Sequence, residues 1–132
     1  MKVRARVRGA DRFGCAIDGL EVQAPDRRVP PEAVGDTLRR QAERLRDRNT
    51  GLPERLKVHE VDPGLGTGVL RSRPDEMRGR RYSEVRLKGG HQAEVERYEY
   101  RPRESRRHAI PHELTHEALE RLADDLAETV KG

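Results

Sequence analysis

His112, Glu113 and His116 are the residues of this chain whose types and spacing would do chemistry. Two imidazoles four positions apart leave one face of a helix together and can reach a single zinc ion. The carboxylate between them would then take a proton from metal-bound water. The combination reads as a zinc-dependent hydrolase or metallopeptidase, with His112 and His116 as ligands and Glu113 as general base.

The run His112-Glu-Leu-Thr-His116 resembles the active-site helix of thermolysin-like zinc peptidases, which also favour small apolar residues at the two variable positions. By that resemblance His112 and His116 hold zinc and Glu113 is the base. The likeness covers these five residues. The glutamate ligand that the family carries on a following helix has no match here. The metzincin extension wants Gly and His where this chain has Leu119 and Leu122. Pro111 puts His112 and Glu113 in the first turn of the helix it starts, where the helix dipole alone favours an acid. Both histidines border the apolar Leu119/Ala123 side, where packing or hydrogen bonding is the commoner fate of a histidine. Zinc is therefore the alternative cofactor, and a protein that is not an enzyme and carries no cofactor is the main expectation.

Charge points elsewhere. The formal net charge is +4, and the cations are nearly all Arg, with Lys only at 2, 57, 88 and 131. Glu113, Glu117, Glu120, Asp124, Asp125 and Glu128 face only Arg121 and Lys131 in residues 111–132, a net of −4, so residues 1–110 carry +8. Residues 2–8 alternate strictly. Val3, Ala5 and Val7 fall on one side; Lys2, Arg4, Arg6 and Arg8 fall on the other, at a spacing of about 6.7 Å along a strand. Arg101, Arg103, Arg106 and Arg107 form a second cluster beside Tyr98 and Tyr100. Arginines suit phosphate and aromatics suit bases, so these two groups are the candidate nucleic-acid-binding residues. The glycine-rich run 63–68 lacks the Lys-Ser/Thr of a phosphate loop and leads into a strand, so it reads as a hairpin loop. Cys15, the only cysteine, sits among small apolar residues and reads as a buried hydrophobe.

These residues need a scaffold. Strands are expected at 2–8, 12–17 and 20–23, with a turn at 9–11 and an Asp18-Gly19 hairpin. Pro31 opens a helix across 32–48 with the stripe Val34, Leu38, Ala42, Leu45, and Asn49-Thr50-Gly51 would end it. Strands follow at 56–58 and 69–73, then a turn at 74–79. The clearest hairpin joins 81–87 to 92–101. A two-residue turn would set Val85 against Glu94, whereas a Gly89-Gly90-His91 loop pairs Val85 with Val95, Leu87 with Ala93, Arg86 with Glu94 and Tyr82 with Tyr98. Residues 101–107 form a polar link, and the last helix starts at Pro111 with the stripe Leu114, Ala118, Leu119, Leu122, Leu126, Val130.

The expectation is a single α+β domain over 1–132. Its antiparallel sheet runs in the order βββ-α-ββ-ββ-α, with two helices packed on one face. Its function would be that of a small basic, cytoplasmic binding module with nucleic acid as partner and no membrane association. An assembly protein of virion or oligomer type, pairing copies through the C-terminal helix, is the other alternative.

Overall fold

A computed structural model describes residues 1–48, 50–74 and 80–131. The fold is α+β: an antiparallel eight-stranded sheet carries two helices on one face. Strands β1 (Lys2–Ala10) and β2 (Gly14–Gln23) precede α1 (Pro31–Asp47). Then come β3 (Leu56–Asp62), β4 (Thr67–Ser72), β5 (Arg81–Lys88), β6 (Gln92–Arg101), β7 (Arg106–Ile110), β8 (His112–Thr115) and α2 (His116–Lys131). The sheet order is β1-β2-β6-β5-β4-β3.

Strand alternation segregates the residues into two faces. Val3, Val22, Ala93 and Leu87 form one row across the strands, and Ala5, Leu20, Val95, Val85 and Leu70 form the next. From β2 to β4 these rows are buried beneath the helices. Leu38, Ala42 and Leu45 of α1 cover β3–β5, while Leu122, Leu126 and Val130 of α2 cover β2, β6 and β8. All six side chains are essentially inaccessible. Leu122, Leu126 and Val130 of the α2 stripe thus close the chain's own core, with Ala118 and Leu119 packed against its border. Cys15 packs against the edge of that core, half-buried.

The sheet forks. β2 and β6 pair only through Leu20–Gln23 and Gln92–Val95. Beyond that point they separate, and β7 and β8 enter the gap. β7 pairs with β6 (Arg97↔Ile110, Tyr98↔Ala109), and β8 pairs with β2 (Ile17↔His112, Cys15↔Leu114). Pro111 stands where the chain leaves one partner for the other, a place where no ladder N–H is required.

The β5–β6 register is the expected one, Val85↔Val95, Leu87↔Ala93, Arg86↔Glu94 and Tyr82↔Tyr98. Its loop needs glycine: Gly90 has φ +81°, and a Cβ there would lie 2.9 Å from Val29. Three local expectations are corrected. Asp18-Gly19 does not turn the chain. β2 is continuous through it, and Asp18 is an extra residue in the β1 ladder (Arg6↔Gly19, Val7↔Ile17). That bulge changes the alternation, so Ile17 and Leu20 both face the core. The turn expected at 9–11 lies at 11–13, since β1 runs on through Ala10, and is held by the Asp11 carboxylate, which accepts from Phe13 N–H (2.8 Å) and Gly14 N–H (3.1 Å). Residues 101–107 are not a link: a 3-10 turn at Pro102–Glu104 and the left-handed Ser105 fold β7 back on β6. Asn49 and residues 75–79 of the expected turn lie outside the described residues.

Candidate nucleic-acid interface

The helix expected from Pro111 begins five residues later. Residues 112–115 are β8, and Thr115 starts α2 by accepting Ala118 N–H at 3.1 Å. In a strand, neighbouring side chains point to opposite faces, so His112 is buried and Glu113 is exposed. His112 and His116 therefore do not share a helical face, and the zinc alternative loses the spacing it was built on. His116 Nε2 lies 2.8 Å from the carbonyl of Asp11; a carbonyl only accepts, so this nitrogen carries hydrogen and is closed to a metal. His59 contacts Arg71, and His108 contacts Glu104 at 2.6 Å. Among the described residues no three of His, Cys, Asp and Glu gather as a metal site would require.

His112 belongs to a buried polar cluster on the core side of the sheet. Its Nε2 is 2.9 Å from Ser83 Oγ, which also accepts from Arg97 at 3.0 Å. Arg97 reaches Glu54 at 3.3 Å, and Ser72 Oγ accepts Ser83 N–H. His112 is 2% exposed, and its Nδ1 has no partner among the described residues. Burial, with Arg97 nearby, pulls the imidazole down to about 4.

The opposite, helix-free face carries most of the basic candidates. Lys2, Gln23, Gln92 and Lys88 form one row across it, and Arg4, Glu21, Glu94 and Arg86 the next. Glu96, Glu84, Arg71 and Lys57 follow, then Tyr82 and Tyr98, then Tyr100 beside Arg107. From Arg4 to Arg71 the face spans about 19 Å at ordinary strand spacing. Its acids on β2, β5 and β6 are engaged, Glu21 by Gln92 Nε2 at 3.0 Å, whereas Glu60 on β3 is exposed. Glu94 meets Lys88 (3.2 Å), and Glu96 meets Arg6 (3.0 Å) and Tyr98 Oη (2.7 Å). Glu84 holds three guanidiniums, Arg71 (2.7 Å), Arg86 (2.9 Å) and Arg107 (2.9 Å). Burial pushes the Glu84 carboxyl up, but the bonds from Arg107 and Arg71 outweigh it and hold it below the usual range. Arg8 pairs with Asp18 at 2.9 Å. Among the described residues Lys2, Arg4 and Lys57 have no ion-pair partner.

The fold splits the second cluster. Arg107 lies on this face, 3.9 Å above the Tyr98 ring and bonded to Tyr82 Oη. Its cation covers Tyr98, whose hydroxyl is pushed up to about 12 by burial and the Glu96 bond. Tyr98 is thus covered on one side, and Tyr100, 37% exposed, is the more open ring. Arg101 is turned away, tied to Glu99 and Glu104. Its paired neighbour Arg106 and the adjoining Arg103 stand with it at the end of the β6–β7 hairpin. Sequence reasoning missed Glu84, Arg71 and Arg86. The signal was there: Glu84 and Arg86 share a parity with Tyr82, but only the β4 register brings Arg71 alongside. A concavity of about 550 Å³ adjoins this group, bordered by His59, Arg71, Arg80, Tyr82 and Tyr100.

No family model matches this chain, and neither any curated protein nor any solved structure does. Among the described residues no helix is long and apolar enough to cross a membrane.

Proposed function

We propose that the helix-free face binds single-stranded nucleic acid, without catalysis. Phosphates would meet Lys2, Arg4, Arg6, Arg8 and Arg107, and a base would stack on Tyr100. One observation carries this: Lys2, Arg4 and Arg6 share a face with Tyr100 and Arg107, and the acids between them, Glu21, Glu94, Glu96 and Glu84, are already engaged. Open sheet faces that combine cations with an exposed ring suit single strands, because every base has a stacking face and every nucleotide a phosphate.

The test is oligonucleotide binding by fluorescence anisotropy across a salt series. Affinity falls steeply with salt, and Arg4→Ala/Arg6→Ala flattens the log–log slope by about 0.7 for each lost phosphate contact. Tyr100→Ala weakens binding at every salt concentration and leaves the slope unchanged. Absence of binding at low salt, or an unaltered slope in the double variant, refutes the proposal.

A further inference from the structure

We infer that the outer edge of β1 accepts an extended acidic strand from a partner protein, lengthening the sheet by strand addition. This goes beyond nucleic-acid binding: it shares the cations Lys2 and Arg4 with that reading and adds the open backbone edge and the exposed apolar side, which a nucleic acid leaves unused. β1 ends the sheet and, among the described residues, pairs only with β2, so alternate backbone groups along it face outward without a ladder. Its helix-side residues line up with the core rows of β2, Val3 with Val22 and Ala5 with Leu20. Neither helix reaches over them: Val3 is 52% and Val7 56% exposed. Its other side carries Lys2 and Arg4, which have no ion-pair partner among the described residues. The ladder is regular from Lys2 to Arg6 and is bulged beyond, so the open edge is residues 2–6.

The charges select the occupant. A second copy paired antiparallel about Arg4 would set Arg4 against Arg4 and Lys2 against Arg6, and like charges directly opposite destabilise a pair of strands. The row that repels a second β1 attracts a strand with acids at alternate positions. Aliphatic residues at the other positions would then lie beside Val3 and Ala5. Such a strand satisfies backbone, apolar side and cations together. A nucleic acid meets the cations alone.

The probe is the peptide Ac-Glu-Val-Glu-Val-Glu-Val-Glu-NH2, with amide hydrogen exchange of the full chain followed by NMR. At ten times its dissociation constant, the outward amides of residues 2–6 slow about tenfold. Two N-methylated peptides, one for each set of alternate amides, keep the charge and the side chains. One of them loses binding and the other keeps it. Lys2→Glu/Arg4→Glu weakens the Glu–Val peptide by about fivefold at least, two exposed pairs' worth, and binds a Lys–Val peptide instead. Equal binding of both N-methylated peptides overturns strand addition in favour of simple charge attraction. The same protection produced by an oligonucleotide overturns the choice of partner, and a concentration-dependent mass of the protein alone, abolished by Val3→Asp, makes the occupant a second copy. Should the charge-reversed variant fail to fold, the N-methylated pair still decides on wild-type protein. The oligonucleotide salt slope reads the nucleic-acid proposal separately, so either can fail alone.

Discussion

His112 should make this protein lose stability between pH 7 and pH 4.5 by an amount that can be worked from its site. The ring is 2% exposed, its Nε2 is held by Ser83, and its Nδ1 has no partner among the described residues. Protonation would put a buried positive charge on a ring whose single partner among the described residues is Ser83 Oγ, beside the Arg97 guanidinium. The folded chain therefore holds the imidazole neutral down to about 4, against 6.5 in the unfolded chain. The folded value is depressed, so the stabilisation is complete above 6.5 and is lost as pH falls towards 4; below that both states are protonated and the loss stops. At 1.36 kcal/mol per unit, the loss from pH 7 to pH 4.5 is about 2.5 kcal/mol. Urea unfolding at the two pH values measures it. Carboxylates contribute in the same range, so the decisive quantity is the difference from His112→Phe, which removes the titration and the orphaned nitrogen together. Ser83 Oγ keeps its bond from Arg97 in that variant. Wild type should fall about 2.5 kcal/mol further than the variant. Parallel losses, or an imidazole seen by NMR to titrate near 6.5, would refute the account.

Two further perturbations test other parts of the structure. Glu84→Gln leaves Arg71, Arg86 and Arg107 around a neutral amide; it should cost about 2–3 kcal/mol by chemical denaturation, below the usual cost of breaking a buried pair because the arginines are partly solvated. The Glu84 carboxyl is held low in the fold, so this difference is full above its ordinary range and fades as pH falls through the lowered value. Oligonucleotide affinity should rise in the same variant, and a fall would count against the proposed face. Leu126→Ala should cost about 2–5 kcal/mol while leaving the sedimentation mass unchanged, because that side chain fills the chain's own core. A change of mass with little loss of stability would return α2 to the role of an oligomer contact.

Where one pattern dominates, the sequence was sufficient. The β5–β6 register follows from matching Val85 to Val95 and Leu87 to Ala93, since a shift by one residue would turn buried side chains to water. The cationic row of β1 was legible for the same reason. Two other segments carried signals that fit more than one structure. Asp18-Gly19 suits a turn, but it also suits a bulge, and Ile17 and Leu20 can both reach the core only if the strand continues through an extra residue. Of the candidate interface, the β1 row could be read locally. The joining of Arg71, Arg86 and Arg107 on Glu84 could not, because it requires the registers of four strands at once.

The motif at 112–116 shows why local spacing misled. His-Glu-x-x-His names a metal site only if five residues complete a helical turn, and Pro111 followed by an acid looked like the start of one. The same residues also alternate: His112 and Leu114 are buried, while Glu113 and Thr115 are exposed. What decides between the two periods is tertiary. β2 and β6 diverge past Leu20 and Val95 and leave a gap in which β7 bonds to β6 and β8 bonds to β2. A helix begun at Pro111 would leave the edge of β2 from Gly14 to Ile17 unpaired, and buried backbone groups without partners are costly. Strand pairing therefore carries the chain on to Thr115, whose hydroxyl supplies the cap that Pro111 lacks. His112 is drawn into the core as a neutral hydrogen-bonded ring. His116 is left at the surface on the carbonyl of Asp11, where it steadies the β1–β2 turn.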